Sequence, residues 1–174
     1  GATSVARDAL PYVQGDVAVV SAADGTHVVV DGRGGPIMTE IVKDRTFRIH
    51  ASSFWQVHRQ ASASLVDHVV GLCGLQRGQS AFDLYSGAGL FAAFLAEEVG
   101  EQGSVVAVES GIDAVRDARR SLSDLAHVEL VTSDVGQWVA RRHEGCDVVV
   151  LDPPRAGAGS QVIADVARLA RSRI

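Results

Sequence analysis

The sequence has few cysteines, no long apolar run and no excess of positive charge. Its 174 residues include only two cysteines, Cys73 and Cys146, whose spacing matches no metal-binding motif. We therefore expect no metal site, no iron–sulfur cluster and no disulfide scaffold. No apolar stretch approaches the about 18 residues that a membrane span needs, and the N-terminus lacks a basic region followed by an apolar one. The expected location is cytoplasmic, with no membrane partner.

The net charge is −5 at pH 7, from 16 basic and 21 acidic residues. This balance argues against a broad nucleic-acid-binding surface, because such surfaces are basic. It leaves room for a local basic patch formed by arginines in the second half of the chain: Arg116, Arg119, Arg120, Arg141 and Arg142. Solvated helix faces are the simpler interpretation of these arginines.

The first 50 residues differ in pattern from the rest of the chain. Residues 17–20 and 27–30 flank Asp24 and Gly25, which predicts a β-hairpin. From about Ser52, apolar residues recur at spacings of three and four, which predicts a long helix with one buried face, ending at Gly74. That face comprises Phe54, Val57, Ala61, Leu65, Val69 and Leu72. We predict a small β-rich segment at residues 1–50 and a second domain at 51–174.

From Ser80 onward, short apolar runs alternate with amphipathic segments. The runs predict four strands, at residues 81–84, 105–108, 128–131 and 147–151. The segments between them predict helices at 90–98, 112–122 and 135–142, and a further helix at 161–171 whose following strand is not accounted for. This alternation predicts an α/β fold with a parallel sheet, and ligands bind such sheets at the carboxyl ends of the strands.

A glycine turn follows the first of these strands, in the sequence DLYSGAG that begins at Asp83. Gly87 and Gly89 permit backbone dihedrals barred to other residues and let backbone amides approach a ligand closely. The same glycines, with Ala92, also fit the dinucleotide fingerprint G-x-G-x-x-A. An NAD-dependent oxidoreductase is therefore one alternative.

Acidic residues stand at three successive strand ends: Asp83, Glu109 and Asp134. A carboxylate at Asp83 would repel a pyrophosphate but suits a cationic amino-acid group, which favours S-adenosylmethionine over NAD. Glu109 could accept hydrogen bonds from ribose hydroxyls in either cofactor, and Asp134 could meet an adenine amino group. Taken singly, each acid is equally well interpreted as a turn cap or a surface carboxylate.

Three motifs resemble the RNA uracil-5 methyltransferase family, whose domain has the Rossmann-like class I methyltransferase fold. They are FWQV from Phe54, DLYSGAG from Asp83 and DPPRAG from Asp152, and the resemblance covers residues 47–174. The hairpin region before residue 47 resembles the small β-rich insertion of family members. A DPPR loop also resembles that of amino-group methyltransferases, but their loop usually ends in an aromatic residue, so Arg155 argues against that alternative.

The resemblance implies roles for individual residues around S-adenosylmethionine. Gln56 would contact the methionine end, Tyr85 and the turn at residues 87–89 would pack around the cofactor, and Glu109 would hold the ribose. Asp152 would lie near the reacting end. Arg155 would stack on or bond to the base or phosphate of an RNA substrate.

The resemblance also implies the chemistry, which is the formation of 5-methyluridine in rRNA or tRNA. In this family a cysteine thiolate adds to C6 of uracil, C5 takes the methyl group, and a base removes the C5 proton. The cysteine and the glutamate base would fall beyond Ile174, so we expect a fragment that binds cofactor without turnover. Cys73 and Cys146 are expected to be inert.

Three positions depart from the pattern of the family. Leu90 and His58 stand where asparagine occurs in some members, and Ser86 replaces a frequent cysteine. The change at Leu90 removes one polar contact to the cofactor, whereas a structural role is the simpler interpretation of His58. The change at Ser86 is expected to have little effect.

Overall fold

The computed structural model describes residues 20–21, 28–29, 37–50, 53, 55 and 59–174. Within these residues there are nine strands and five helices, with the order β1 (Val20–Ser21), β2 (Val28–Val29), β3 (Ile37–Val42), β4 (Arg45–His50), α1 (Arg59–Cys73), β5 (Ser80–Leu84), α2 (Leu90–Val99), β6 (Ser104–Glu109), α3 (Ile112–Ser121), β7 (Val128–Thr132), α4 (Val135–Arg141), β8 (Cys146–Leu151), α5 (Ser160–Leu169) and β9 (Ala170–Arg173). None of the helices in this part of the chain is long and apolar enough to cross a membrane.

Strands β5 to β9 form one parallel sheet in the order β7-β6-β5-β8-β9. Successive residues of its central strands face opposite sides, so Ala81 and Phe82 belong to different apolar clusters, one on each face of the sheet. Strands β6 and β8 both flank β5, with Leu84 opposite Val108 and Leu151. The chain therefore leaves β5 and its two neighbours at one edge, at the switch point where ligands bind in open α/β sheets.

The predicted α/β architecture is confirmed, and four of its strands lie within two residues of the predicted positions. To the four predicted strands the structure adds a fifth, since Ala170–Arg173 forms the further parallel strand that the last helix was expected to lead into, and it lies beside β8. The helix predicted at 161–171 accordingly ends at Leu169. The sequence Ala-Arg-Ser-Arg carries no apolar run because β9 is a largely exposed edge strand, so the signal used for the other strands is missing.

Helix α1 differs from its prediction at its start and in its buried face. It begins at Arg59, since Ser53 and Trp55 are not helical, and it ends as predicted where Gly74 takes a φ of +55°. Val66 is buried, whereas Leu65 is 38% and Leu72 is 75% exposed. The buried face also includes Ser62, which a count of apolar residues overlooks. Phe54 and Val57 lie outside the described residues.

The N-terminal part contains two antiparallel strand pairs. In the predicted hairpin, Val20 pairs with Val29 and Ser21 with Val28, and the rest of it lies outside the described residues. The hairpin β3–β4 was not predicted, because its two-residue turn is Lys43-Asp44 rather than a glycine or asparagine turn. Lys43 nevertheless takes a φ of +54° there.

The β3–β4 hairpin packs on the helices through one apolar face. Val42, Phe47 and Ile49 are buried in the same cluster as residues of α1 and α2. The Phe47 ring centroid lies 5.4 Å from that of Trp55 and 6.4 Å from that of Phe94. The division of the chain into two domains at residue 50 stays a prediction. An experiment that tests this division has to measure the unfolding of the hairpin separately from the unfolding of the helices that it contacts.

Candidate functional site

The loops that follow β5, β6, β7 and β8 are tied together at the carboxyl edge of the sheet. Ser86 N donates to Val108 O at 3.1 Å, Asp152 N donates to Leu84 O at 3.3 Å, and Ser133 N donates to Glu109 O at 3.0 Å. The predicted residues that follow these strands, from the turn after Asp83 to Glu109, Asp134 and Asp152, therefore lie at one edge. Gln56 lies outside the described residues, as does His58.

The turn after β5 takes left-handed dihedrals at three residues, Tyr85, Gly87 and Gly89, with φ values of +63°, +55° and +84°. A Cβ atom on Gly89 would lie 2.8 Å from Leu122 Cδ1, so the Leu122 side chain would have to shift, and the positive φ of Gly89 also favours glycine there. A Cβ atom on Gly87 would meet nothing within 4 Å, so only its dihedral favours glycine. The turn thus packs against α3 on the Gly89 side and is open at Gly87.

Asp83 is fully buried beneath this turn. Its Oδ2 accepts a hydrogen bond from Ala92 N at 2.8 Å, in the first turn of α2, whereas Oδ1 has no hydrogen-bond partner in the described part of the chain. Burial raises the pKa of Asp83 to about 7, the Ala92 N–H bond acts in the opposite direction, and the charges of Asp152 and Glu109 add to the rise. A cationic group that reached Oδ1 would stabilise the carboxylate form.

Glu109 joins the loop after β5 to the loop after β6. Its Oε2 accepts from Gly87 N at 3.0 Å, and its Oε1 accepts from Gly111 N at 2.6 Å and from Ser110 Oγ at 3.4 Å. A carboxylate has about four acceptor positions, so these bonds leave capacity for further donors such as hydroxyl groups. The side chain is only partly buried and can be approached from solvent.

Asp134 and Asp152 are both exposed at the same edge. Asp134 is the N-cap of α4, since its Oδ1 accepts from Gln137 N at 2.9 Å. Burial, and secondarily the charge of Asp134, raises the pKa of Tyr85. Arg155 is exposed on the turn that Gly157 N closes by donating to Pro154 O at 2.7 Å.

The two cysteines are free and buried. Cys146 is the first residue of β8, at the amino end of the sheet, and Cys73 ends α1. Burial raises the pKa of both thiols, that of Cys146 to about 12. A thiol with a raised pKa is a poor nucleophile near neutral pH, and the inertness of the two cysteines stays a prediction. Among the described residues, no group of three or more His, Cys, Asp or Glu side chains is placed to hold a metal.

Asp117, a carboxylate on α3 that is 1% exposed, was not among the predicted site residues. Its Oδ2 accepts from His50 N at 2.8 Å and from Ser53 Oγ at 2.7 Å, and its Oδ1 accepts from Arg120 Nη1 at 3.1 Å. Asp117 and the buried Ser121 are four residues apart, so they form a polar stripe on one side of the helix. A polar stripe normally indicates an exposed face, so the burial of Asp117 could not be predicted from the residue pattern of α3.

Comparison with solved structures identifies the class of protein to which this fold belongs. The chain matches the Pyrococcus abyssi tRNA (uracil-54, C5)-methyltransferase in complex with S-adenosyl-L-homocysteine, with a TM-score of 0.68, 26% identity, and coverage of 93% of this chain and 41% of that one. A putative SAM-dependent methyltransferase from Streptococcus mutans shares the fold, with a TM-score of 0.61, 15% identity, and coverage of 83% and 41%. The fold is that of a class I methyltransferase, a class whose cofactor is S-adenosylmethionine.

Residues 39–141, more than half of the chain, match the family model of protein-L-isoaspartate(D-aspartate) O-methyltransferase, and the chain belongs to that methyltransferase family. The matched region contains the glycine turn and Glu109 and ends before Asp152, so it does not include the Pro-Pro loop. The match therefore covers the glycine turn and Glu109 but not Asp152 or Arg155.

Curated relatives match almost the whole chain. An uncharacterized RNA methyltransferase of Streptomyces coelicolor is 39% identical over 95% of this chain and 37% of its own length. One of Bifidobacterium longum is 37% identical over 97% of this chain and 42% of its own. The chain spans about two fifths of the length of these relatives.

Proposed function

We propose that this chain is the cofactor-binding part of an S-adenosylmethionine-dependent RNA methyltransferase that forms 5-methyluridine in rRNA or tRNA in the cytoplasm. One observation carries the proposal: the loop of Asp152 and Arg155 leaves the sheet beside the glycine turn, at the same edge. The names of the curated relatives support an RNA substrate. The uracil-specific neighbour, at 26% identity over 93% of this chain, supports the choice of base.

The proposed cofactor contacts follow the chemistry of the described groups. Asp83, through its unpartnered Oδ1, interacts with the methionine ammonium group directly or through water. Tyr85, Gly87 and Gly89 pack around the cofactor. Glu109 accepts from the ribose hydroxyls while it holds the two loops together.

The remaining roles concern the adenine, the reacting end and the substrate. Asp134 meets the adenine amino group with the acceptor capacity that its capping bond leaves. Asp152 lies near the reacting methyl group, and Gln56 contacts the methionine end. Arg155, exposed on its turn, contacts a base or phosphate of the RNA after the target base has left its stack.

The chemistry needs a nucleophile that activates uracil, because C5 alone is too poor a nucleophile to accept the methyl group. The buried thiols of Cys73 and Cys146 do not suit this role. The cysteine and the base therefore belong to other parts of a longer protein, and this chain by itself binds cofactor without turnover.

Titration calorimetry of the chain with S-adenosylmethionine, S-adenosylhomocysteine and NAD tests the cofactor assignment. We expect saturable binding of the first two and none of NAD, because the Asp83 carboxylate would repel a pyrophosphate at the glycine turn. Binding of NAD alone would overturn the proposal. The comparisons with methyltransferases already disfavour that oxidoreductase alternative.

The substrate assignment is tested with a longer protein that contains this chain. Radiolabelled methyl transfer to unmodified rRNA and tRNA should yield 5-methyluridine after digestion. Transfer to an isoaspartyl peptide instead would favour the activity for which the matching family is named. Transfer to an exocyclic amino group of RNA would favour the amino-group alternative.

Glu109→Ala should weaken binding of S-adenosylhomocysteine by roughly ten- to 150-fold, since a hydrogen bond to a charged group contributes about 1.5–3 kcal/mol. Adenosine, which carries the same ribose, should lose affinity in the same proportion. Glu101→Ala, at an exposed glutamate in the turn after α2, is the matched control. An unchanged affinity for both ligands would show that Glu109 only ties the two loops together.

A further inference from the structure

We propose that one exposed side of α3, together with the neighbouring strand β4, binds phosphates of the RNA substrate. This surface, which we call the arginine face, carries four exposed arginines: Arg48, Arg116, Arg119 and Arg120. The inference rests on the proposed function, because that function supplies the RNA. It adds a binding surface beyond the turn of Arg155, to which the proposed function assigns the substrate contact.

The structure divides the predicted basic patch between the two sides of the sheet. Leu122, at the end of α3, belongs to one apolar cluster, whereas Val139 of α4 belongs to the other. The arginines of α4 therefore lie across the sheet from those of α3. Arg142 is also occupied, because its guanidinium carbon lies 5.7 and 5.3 Å from the ring centroids of Phe82 and Trp138. Only the α3 part of the patch is left as a continuous surface.

The arginine face forms where β4 runs beside α3. Arg116, Arg119 and Arg120 lie on one side of the helix, because residues three and four apart are neighbours there. Arg48 N donates to Ser121 Oγ at 3.4 Å, which places β4 against the same helix. Alternate residues of a strand face opposite sides, so the Arg48 side chain points away from the buried residues on either side of it in sequence.

Two of the four arginines already bond acids of the same helix. Arg116 bonds Asp113 and Arg120 bonds Asp117, in each case through Nη1 at 3.1 Å. A guanidinium group has five N–H donors in a planar fork, so each of these arginines keeps donors for a second anion. The bonds also restrict the two side chains, which reduces the conformational entropy lost when a phosphate binds.

The other two arginines have no acidic partner. The side chains of Arg48 and Arg119 form no ion pair with another residue in the part of the chain that the structure describes. Asp124, just beyond α3, is bonded to Arg45 at 2.8 Å instead. Positive charge is therefore concentrated on this face of a chain whose net charge is −5. Guanidinium groups bind phosphates through paired hydrogen bonds and the release of counterions.

The arginine face begins beside the proposed cofactor site. Gly111 N, just before α3, donates to Glu109 Oε1 at 2.6 Å. Arg116 follows the start of the helix by about 6 Å along its axis. Only β5 separates β6 from β8 in the sheet, so the loop before α3 and the loop of Asp152 are about 10 Å apart. An RNA strand with its target base at the Asp152 loop can therefore place neighbouring phosphates on α3.

The double variant Arg48→Gln/Arg119→Gln tests the inference, because it removes the two uncompensated charges and leaves the ion pairs of α3 intact. The probe is fluorescein-labelled single-stranded oligouridine, and its binding is measured by fluorescence anisotropy between about 50 and 200 mM KCl. Each lost phosphate contact should reduce the slope of log K against log[KCl] by about 0.7. We therefore expect a slope smaller by about 1.4 and roughly 25-fold weaker binding at about 0.1 M KCl.

Arg141→Gln/Arg171→Gln is the matched control, because it removes the same charge from two exposed arginines, one at the end of α4 and one on β9. We expect an unchanged slope and less than about threefold weaker binding, since salt screens charges that do not contact the RNA. Equal losses in the two double variants would show that only the net charge matters and would overturn the inference. The absence of oligouridine binding by the unaltered chain would overturn it as well.

Binding of S-adenosylhomocysteine to the same proteins separates this inference from the proposed function. Both double variants should keep the affinity of the unaltered chain, because none of the substituted arginines is a proposed cofactor contact. If Arg48→Gln/Arg119→Gln binds oligouridine as tightly as the unaltered chain, the arginine face is a solvated helix surface, and the inference fails while the proposed function stands. If the unaltered chain binds oligouridine as expected but no S-adenosylhomocysteine, the cofactor assignment fails and the arginine face stands.

Discussion

Asp83→Asn should raise the free energy of unfolding of the cofactor-free chain by up to about 4 kcal/mol at pH 8. The physical reason is burial, which raises the pKa of Asp83 to about 7 from the ordinary value of 3.8. An asparagine can keep the bond from Ala92 N with its oxygen and carries no charge to desolvate. The side-chain NH₂ group then occupies the position of the unpartnered Oδ1.

The sign of the pH dependence follows from the raised pKa. Between about pH 4 and pH 7 the folded chain keeps a proton on Asp83 that the unfolded chain has released. The contribution of Asp83 to stability is therefore fully present below about pH 4 and is lost as the pH rises to about 7, with a slope of about 1.4 kcal/mol per pH unit. Asp83→Asn should remove this component of the slope.

Urea unfolding at pH 5, 6, 7 and 8 measures both effects. Asp44→Asn, at the exposed turn between β3 and β4, is the matched control and should change stability by less than about 0.5 kcal/mol. Equal pH dependence in the unaltered chain and in Asp83→Asn would contradict the burial argument. A loss of stability in Asp83→Asn at pH 8 would contradict it more directly.

The same substitution should weaken S-adenosylmethionine binding, because the amide cannot neutralise an ammonium group. A substitution that raises the free energy of unfolding but weakens cofactor binding identifies a residue that serves function and destabilises the fold. If binding of the cation stabilises the Asp83 carboxylate, affinity should increase as the pH rises towards 7. Together, these opposite changes would connect the unpartnered Oδ1 to the cofactor more firmly than either measurement alone.

The sequence predicted those parts of the fold and site that depend on local patterns. Apolar runs followed by Asp83, Glu109 and Asp152 placed three strand ends within two residues, because a buried parallel strand has to be apolar along its length. The edge strand β9 has no such run, and the β3–β4 turn lacks the usual turn residues. Neither element left a local signal that could have been used.

Contacts between distant parts of the chain could not be predicted from the sequence for a different reason. Asp117 and Ser53 are far apart in sequence, and neither residue type indicates a buried partner. The hydrogen bond from Gly87 N to Glu109 was not predicted either, since both residues were predicted to contact a ligand and not each other. Such bonds depend on how helices and loops pack, which residue spacing alone does not encode.

Phe47→Ala should lower the free energy of unfolding by about 3–5 kcal/mol, because it leaves a large cavity in a fully buried site. The lost ring contacts both Trp55 and Phe94, so the hairpin, the Trp55 side chain and α2 all lose packing. Ile41→Ala is the matched control on the same hairpin, since Ile41 is 68% exposed. Its expected change is within about 0.5 kcal/mol.

The two tryptophans make this experiment a test of the domain division. Trp55 packs on Phe47, whereas Trp138 packs on Phe82 in the apolar cluster on the other face of the sheet, with ring centroids 5.0 Å apart. Single-tryptophan variants, Trp55→Phe and Trp138→Phe, therefore report unfolding from the two sides separately. If the hairpin and the sheet unfold as one unit, Phe47→Ala should shift both fluorescence transitions to the same lower urea concentration. A shift confined to the Trp55 signal would instead support a boundary near residue 50, and the hairpin would then be a separate unit docked on α3.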